Sequence, residues 1–420
     1  MKQFFRQTFN LLAENKLHSS IVIVGTAVTM AFVMMVVMTF DFRAADLAPE
    51  SHRSRTVYMS PGHINMVDGT NHSSGMGKIP FDALFTACPG VELATWSGYL
   101  AESSVSMPGS ADKHRFFVND VAANWFEMFD YDFVAGKPFT EAEYDGHPRE
   151  AVVSRTVARK LTGDDPASIV GREILVNFRP VKVTGVYEDV SQVFQTAYSD
   201  VLLPFTGEKN IAMGGLSGRR RGVLLLAPGA DVDDVAREVA RREEMLNSRG
   251  SDFVFHLERL YNHVDYTFFR DAMINPRLVY GLLIAVLLIV PALGLSGLIN
   301  AQMQSRLGEI AIRKAYGATN RGIMGRLFAE NLVATFIGAV IGYILSCLLV
   351  WACRRWIFAE MTDRMSGTMG DIGLDGSLFV HPAIALYALA ACLVFTTVAT
   401  VVPAWMSTHR SIAITLKGGE

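Results

Sequence analysis

Four uncharged stretches constrain this chain more than any other feature: Ser19–Phe40, Leu278–Ser305, Leu332–Cys353 and Pro382–Thr408. A bilayer core about 30 Å thick takes about 20 apolar residues in helical form. A single stretch in lipid satisfies its own backbone groups only as a helix, so each predicts a membrane-spanning helix. Pro291 and Pro403 predict kinks or ends in the second and fourth. Charged residues are 19% of the chain, against roughly 25% in a typical soluble domain, as expected if part of it lies in lipid. The first stretch exceeds the roughly 7–15 residues of a signal-peptide core, and no small-residue cleavage pattern follows closely, so a retained anchor is expected.

Basic residues in short loops orient such a chain. Lys2, Arg6 and Lys16 precede the first stretch, Arg306, Arg313, Lys314, Arg321 and Arg326 lie between the second and third, and Arg410 and Lys417 follow the fourth. All three segments fall on one side, which is therefore cytoplasmic, with both termini inside. Arg354 and Arg355 break the pattern, but share their loop with Asp363, Asp371 and Asp375. The expected layout is a cytoplasmic amphipathic helix at 1–18, with Phe5, Phe9 and Leu12 on one side. Spans follow at 19–41, 277–302, 329–353 and 381–405. Residues 42–276 form an extracytoplasmic domain, 303–328 a cytoplasmic loop, 354–380 a short outer loop and 406–420 a cytoplasmic tail.

The outer segment alternates short β-branched runs with turn residues, the pattern of strands. Strands are predicted at Arg115–Val121, Glu150–Ser154, Glu173–Val176, Val181–Val186, Val201–Phe205, Gly222–Ala227 and Phe253–Leu257. Helices are predicted at Asn124–Phe129, at Arg155–Leu161 with Ser154 as cap, and at Asp231–Asn247 with acidic residues in its first turn. This is an α+β domain, with two lobes divided near residues 206–222.

Charge and motifs exclude several functions. A net charge of −3 leaves no excess of cations for nucleic-acid phosphates. Cys88 is the only cysteine of the outer segment, so no disulfide forms within it. No nucleophile, zinc or phosphate-loop motif stands out. His63, Asp68 and His72 lie in the Gly/Ser-rich run PGHINMVDGTNHSSGMG, whose composition reads as a mobile loop rather than a metal site. Arg219, Arg220 and Arg221 read as a solvated loop tip or as a contact for an anionic group.

The cytoplasmic loop runs QSRLGEIAIRKAYGATNRGIMGRLFAEN. A helix over about 303–316 puts Arg306, Glu309 and Arg313 on one face with Leu307 and Ile310 beside them. Gly317 is a natural stop, and Thr319 caps a second helix entering the third span. There Ala334, Gly338 and Gly342 recur every four residues, a ridge that lets helices approach closely, within one chain or across a dimer.

EIAIRKAYGAT followed by RLFAENLVATFIGAVIG resembles the signature of FtsX-like permeases of ABC transporters, through Glu309, Ile310, Ile312, Arg313, Lys314, Ala315, Gly317, Ala318 and Glu330. RFFVNDVAANWFEMFDYDFVAGKPFTEAE, AVVSRTVARKLTGDDPASIVGREILVN, VKVTGVYEDV and DVLLPF resemble the periplasmic core domain of MacB-type permeases, and VVPAWMSTHRSIAITLK resembles their C-terminal segment. The likeness is weakest at 42–110 and 206–275.

The resemblance implies four transmembrane helices, a large α+β periplasmic domain, and a place in a bacterial inner membrane. Arg306, Glu309, Ile310, Arg313, Lys314, Gly317 and Ala318 would form a coupling helix docking on an ABC ATPase, and Ala334, Gly338 and Gly342 a packing or dimer seam. In the MacB type the ATPase is fused ahead of the first span. Here residues 1–18 stand there, so ATP and magnesium are expected on a separate subunit and no cofactor on this chain. A second permease copy or paralogue is the expected partner, and an adaptor and outer-membrane channel are compatible with it. The resemblance implies a non-catalytic export or efflux subunit working by mechanotransmission. Its alternatives are an FtsX-like activator of a cell-wall hydrolase and a lipoprotein-releasing permease.

Overall fold

The computed structural model describes residues 16–59, 62–66, 71–139, 149–163, 165–204, 215–248, 253–269 and 320–357, with isolated positions at 278, 281–283, 285–286, 289, 386, 389–390 and 394. The chain forms two compact units, one holding the apolar helices and the other residues 43–272.

In the first unit, helix α1 covers Lys16–Ala44. A second long helix covers Asn320–Ile357. At 1.5 Å per residue the latter is about 57 Å long, well beyond the thickness of a bilayer core. Both contain a segment apolar and long enough to cross a membrane, Ser20–Ala44 and Leu332–Cys353. The two helices meet along small residues. Val22 packs with Ala334, a side chain on Gly338 would strike Thr26, and one on Gly342 would sit 2.5 Å from the carbonyl oxygen of Ala27 and 2.7 Å from Cβ of Met30. Contacts advance together along both helices, so the pair runs parallel. Thr26 donates its hydroxyl to the Val22 carbonyl at 2.5 Å, so the polar atom at the seam is satisfied inside its own helix. Met30, Met34 and Ala339 continue the packing. Residues 1–15 of the predicted N-terminal helix, with Phe5, Phe9 and Leu12, lie outside the described residues, while 16–18 form the start of α1. The second and fourth spans also lie outside them apart from isolated positions.

The second unit is built on an 11-stranded sheet and a separate 4-stranded sheet. Strand β1 is Thr56–Met59, β2 Gly62–Met66, β3 Asn71–Met76, β4 Val91–Ser97, β5 Ala101–Ser106, β6 His114–Val121, β7 Phe133–Gly136 and β8 Glu150–Ser154. Strand β9 is Glu173–Val176, β10 Arg179–Tyr187, β11 Val201–Pro204, β12 Ser217–Gly218, β13 Arg221–Leu226, β14 Phe253–Leu257 and β15 Leu260–Asn262. The helices are α2 (Lys78–Phe85), α3 (Trp125–Met128), α4 (Arg155–Thr162), α5 (Val232–Asn247) and α6 (His263–Phe269). The Asn320–Ile357 helix is α7. The 4-stranded sheet has the order β12-β3-β2-β14.

The first lobe carries the order β15-β1-β13-β4. Helices α2 and α5 cover one face, packing Phe81, Leu84, Val235 and Val239 against Val57, Met59, Leu224 and Leu226. The other face, with Tyr58, Val223 and Leu225, is covered by aromatic residues including Trp125, Phe129 and Tyr187. Strand β13 is thus buried on both sides, which is why its sequence is continuously apolar instead of alternating.

The second lobe is a closed barrel. Strand β5 pairs with β6, β6 with β11, β11 with β8, β8 with β10, β10 with β9, and β9 returns to β5. Ala151 and Val153 of β8 point inward with Val105, Phe116, Ile174 and Val183, while Val152 joins the aromatic cluster outside. Alternation along β8 therefore serves two cores. Val157 and Ala158 of α4 join the barrel core, and Ser154 caps that helix by accepting from the Val157 amide at 3.4 Å.

Two expectations need correction. The stretch from Pro61 to Gly77 is no loop over its described part: β2 and β3 pair antiparallel there, and β14 extends the sheet on the far side of β2. Ladder hydrogen bonds, supplied by any non-proline residue, outweigh the turn-like composition. The lobes are also not successive pieces divided at 206–222. The chain leaves the barrel at Pro204, but its first lobe joins residues before 97 to residues after 217, because β13 inserts between β1 and β4.

Candidate functional site

The outer unit is joined in sequence to the apolar helices by two segments, residues 43–55 after α1 and α6 before the second predicted span. A buried polar cluster ties them together. Arg53, 2% exposed, donates from Nε to Oε2 of Glu50 at 2.7 Å and from Nη1 to the Ala45 carbonyl at 3.1 Å. Its guanidinium lies 4.7 Å over the Phe194 ring. The second carboxylate oxygen of Glu50 accepts from the amides of Thr196 and Ala197 at 3.1 and 3.0 Å. Both oxygens of this buried carboxylate are therefore hydrogen-bonded, as its burial requires.

His263 opens α6 and is 6% exposed. Its Nε2 faces the Arg43 carbonyl at 2.8 Å and its Nδ1 the Tyr58 hydroxyl at 2.9 Å. A carbonyl only accepts, so Nε2 carries the proton, and Tyr58 donates to Nδ1. Burial, above all, holds the imidazole below its ordinary pKa of 6.5; Arg53 opposes its charge, while Glu50, Asp46 and the Arg43 carbonyl favour it. Burial and then the Glu50 charge push the Tyr58 phenol well above 10.0. Tyr266 of α6 stacks on Tyr58 with centroids 4.2 Å apart. A small cavity lined by Arg43, Glu50, Arg53, Thr196, His263 and Tyr266 lies within the cluster.

The arginine run continues from this cluster. Arg221 donates to the Tyr266 hydroxyl at 2.6 Å, Arg220 is 6% exposed with its guanidinium 4.7 Å over Trp96, and Arg219 stands 3.9 Å from Asp120. The solvated-tip reading is corrected: Arg220 pairs in the backbone with Met76 and Arg221 begins β13, which draws both side chains inward.

Of the residues singled out from sequence, Arg306, Glu309, Ile310, Arg313, Lys314, Gly317 and Ala318 lie outside the described residues. Ala334, Gly338 and Gly342 line the α1–α7 seam inside one chain. His63 and His72 lie on adjacent strands, and Asp68 lies outside the described residues. Among the described residues no three His, Cys, Asp or Glu side chains gather as metal ligands would. The Glu50, Arg53, Tyr58, His263 and Tyr266 cluster is not visible in the sequence. Its one local trace is Glu50 and Arg53, opposite charges three apart just after an apolar helix.

Residues 19–242 match the family model for the MacB-like periplasmic core domain, and residues 281–412 that for the FtsX-like permease C-terminal region. The chain is similar to the macrolide export ATP-binding/permease protein MacB of Escherichia coli K12, at 22% identity over 358 residues, covering 82% of this chain and 52% of that protein. MacB of Shigella flexneri matches to the same extent. The chain thus spans about half the length of these curated relatives. Two solved structures are also similar. A permease domain of Porphyromonas gingivalis has 20% identity, 56% of this chain and 98% of that one covered, and a TM-score of 0.38. The periplasmic region of MacB from Actinobacillus actinomycetemcomitans has 14% identity, 52% and 94% covered, and a TM-score of 0.35.

Proposed function

Because the chain belongs to the MacB/FtsX-like family of ABC transporter permeases, we propose that it is the membrane subunit that turns ATP hydrolysis on a nucleotide-binding partner into movement of its periplasmic domain. Export, the direction carried in the relatives' names, is the direction proposed. The proposed topology has four transmembrane helices, both termini in the cytoplasm and residues 42–276 in the periplasm of an inner membrane. The parallel run of α1 and α7 supports it, since two parallel spans require the chain to cross back between them.

One observation carries the mechanism: α7 is helical without interruption from Asn320, next to the coupling-helix sequence, through its seam with α1. A push on Arg306, Glu309 and Arg313 would load a stiff rod that small residues clamp to α1. Helix α1 ends at Ala44, and the carbonyl of Arg43 is held by His263. The cluster of Glu50, Arg53 and Tyr58 would then carry the load into β1 and the sheet. The permease itself performs no chemistry in this scheme; ATP and magnesium act on the partner.

The test is purification of the intact protein in detergent followed by mass spectrometry of what accompanies it. A roughly stoichiometric ABC ATPase is expected, and its hydrolysis should fall with Glu309→Lys and with Arg313→Glu while membrane insertion stays normal. No ATPase in the peak, even with a non-hydrolysable nucleotide, would overturn the reading. So would coupling unchanged by both charge reversals.

A further inference from the structure

The β9–β10 hairpin turns on Asn177 and Phe178, with φ of +47° and +65°, and Val176 pairs with Arg179 across them. Tight two-residue hairpins take this left-handed geometry, and Asn followed by Gly suits it best. Asn177 tolerates the conformation, but a bulky side chain at Phe178 is strained there. Burial does not compensate: Phe178 is 71% exposed, more than any other large apolar side chain among the described residues.

The turn is also held rigid. The Asn177 amide donates to the Ser104 carbonyl at 2.8 Å. Its side-chain oxygen accepts from the Ser104 amide at 3.1 Å, and its Nδ2 donates to the Ser103 hydroxyl at 3.0 Å. Lys113, from the β5–β6 loop, places its ammonium 4.7 Å over the Phe178 ring. Glycine would relieve the strain and remove an exposed aromatic at once. Strain held in place by its surroundings marks a site kept for something other than stability.

We propose that Phe178 is a docking knob for a folded protein partner outside the membrane, one presenting an apolar pocket with an acidic rim. Aromatic residues, Phe among them, and arginine are enriched at protein–protein interfaces. Arg179 is exposed and makes no ion pair among the described residues, and Lys113 is exposed, against the single carboxylate of the neighbouring loop, Asp112. Arg115 is engaged with Glu102. A lipid surface fits less well, because membrane-lying segments bring many apolar residues, whereas Phe178 stands between Asn177 and Arg179 with Lys113 over its ring. The inference rests on the barrel alone and stands or falls independently of the transporter reading.

The experiment places a benzoylphenylalanine photo-crosslinker at Ala111, exposed in the loop beside Phe178, in the full-length protein in intact cells. A discrete protein adduct is expected, weaker by about tenfold or more with Phe178→Gly and weakened by Arg179→Glu. The purified full-length Phe178→Gly protein should meanwhile unfold at a higher temperature. An adduct indifferent to Phe178→Gly, adducts to lipid only, or none above a crosslinker at exposed Met245 would overturn the proposal. A lower unfolding temperature for Phe178→Gly would remove its premise.

Discussion

The Tyr58 hydroxyl donates to Nδ1 of His263 at 2.9 Å, joining residues 205 positions apart in sequence. Through the other nitrogen of the same ring the bond reaches the last turn of α1, at the carbonyl of Arg43. One imidazole therefore binds the segment entering the outer unit to the segment leaving it, and does so only as a neutral donor and acceptor.

The first prediction concerns acid. The folded-state pKa of His263 lies below its ordinary 6.5, so the folded form resists protonation. Its contribution is complete above about 6.5 and is lost as pH falls below that value. The intact protein should lose thermal stability between about pH 7.5 and 5.5 more steeply than His263→Gln, which cannot titrate. Parallel profiles would refute this.

Asp200 has the opposite sign. Burial raises its carboxyl to about 6, against a lowering hydrogen bond from the Phe117 amide at 2.8 Å. Its charged form is disfavoured in the fold, so stability present at acid pH is lost as pH rises through about 6. Asp200→Asn keeps an oxygen for that amide. The variant should be more stable than the parent at pH 8, by on the order of 1 kcal/mol once partial exposure is allowed for, and no more stable near pH 4. Denaturant titration at the two pH values decides it.

Glu50→Gln leaves the buried Arg53 guanidinium without its counter-charge. A loss of about 3–5 kcal/mol is expected, as for other broken buried pairs. Arg55→Ala removes a half-exposed pair with Glu92 at 2.7 Å and should cost about 1 kcal/mol or less. Equal effects in the two variants would contradict the burial argument.

Along the membrane seam, Gly338→Ala drives a methyl group into Thr26 and toward the Ile23 carbonyl. Overpacking of this kind costs about 1–3 kcal/mol. Gly25→Ala in α1 meets nothing within 4 Å and should be neutral or stabilising. The midpoints of detergent-induced unfolding for the two variants should therefore move apart.

Phe178→Gly should stabilise the outer unit by about 1 kcal/mol by relieving a left-handed non-glycine residue. Thermal unfolding of the intact protein reads it directly.

Local structure was legible where local physics decides it. Glu150–Ser154 and Phe253–Leu257 are strands over the predicted bounds, and Ser154 caps its helix as predicted, while Asp231, expected in the first turn of the next helix, stands one position earlier as its cap. Those segments carry apolar periodicity and a capping side chain in the same few residues. The β2–β3 hairpin carries neither, since glycine and serine leave no apolar pattern, and it forms because β14 arrives from far along the chain to pair with it. Arg220 misled for the same reason: three adjacent cations look solvated until Trp96 supplies a ring to lie on.

The sequence by itself determined the apolar stretches, the α+β character of the outer segment and the small-residue spacing at Ala334, Gly338 and Gly342, because each depends on spacing within a few turns or strands. Only the tertiary structure decided that this ridge meets α1 in parallel, that β13 threads between β1 and β4, and that His263, Tyr58 and Arg43 share one hydrogen-bonded cluster. Those contacts join residues hundreds of positions apart. Their partners are chosen by burial and by the demand that each buried polar group find a mate, a demand no local window of sequence displays.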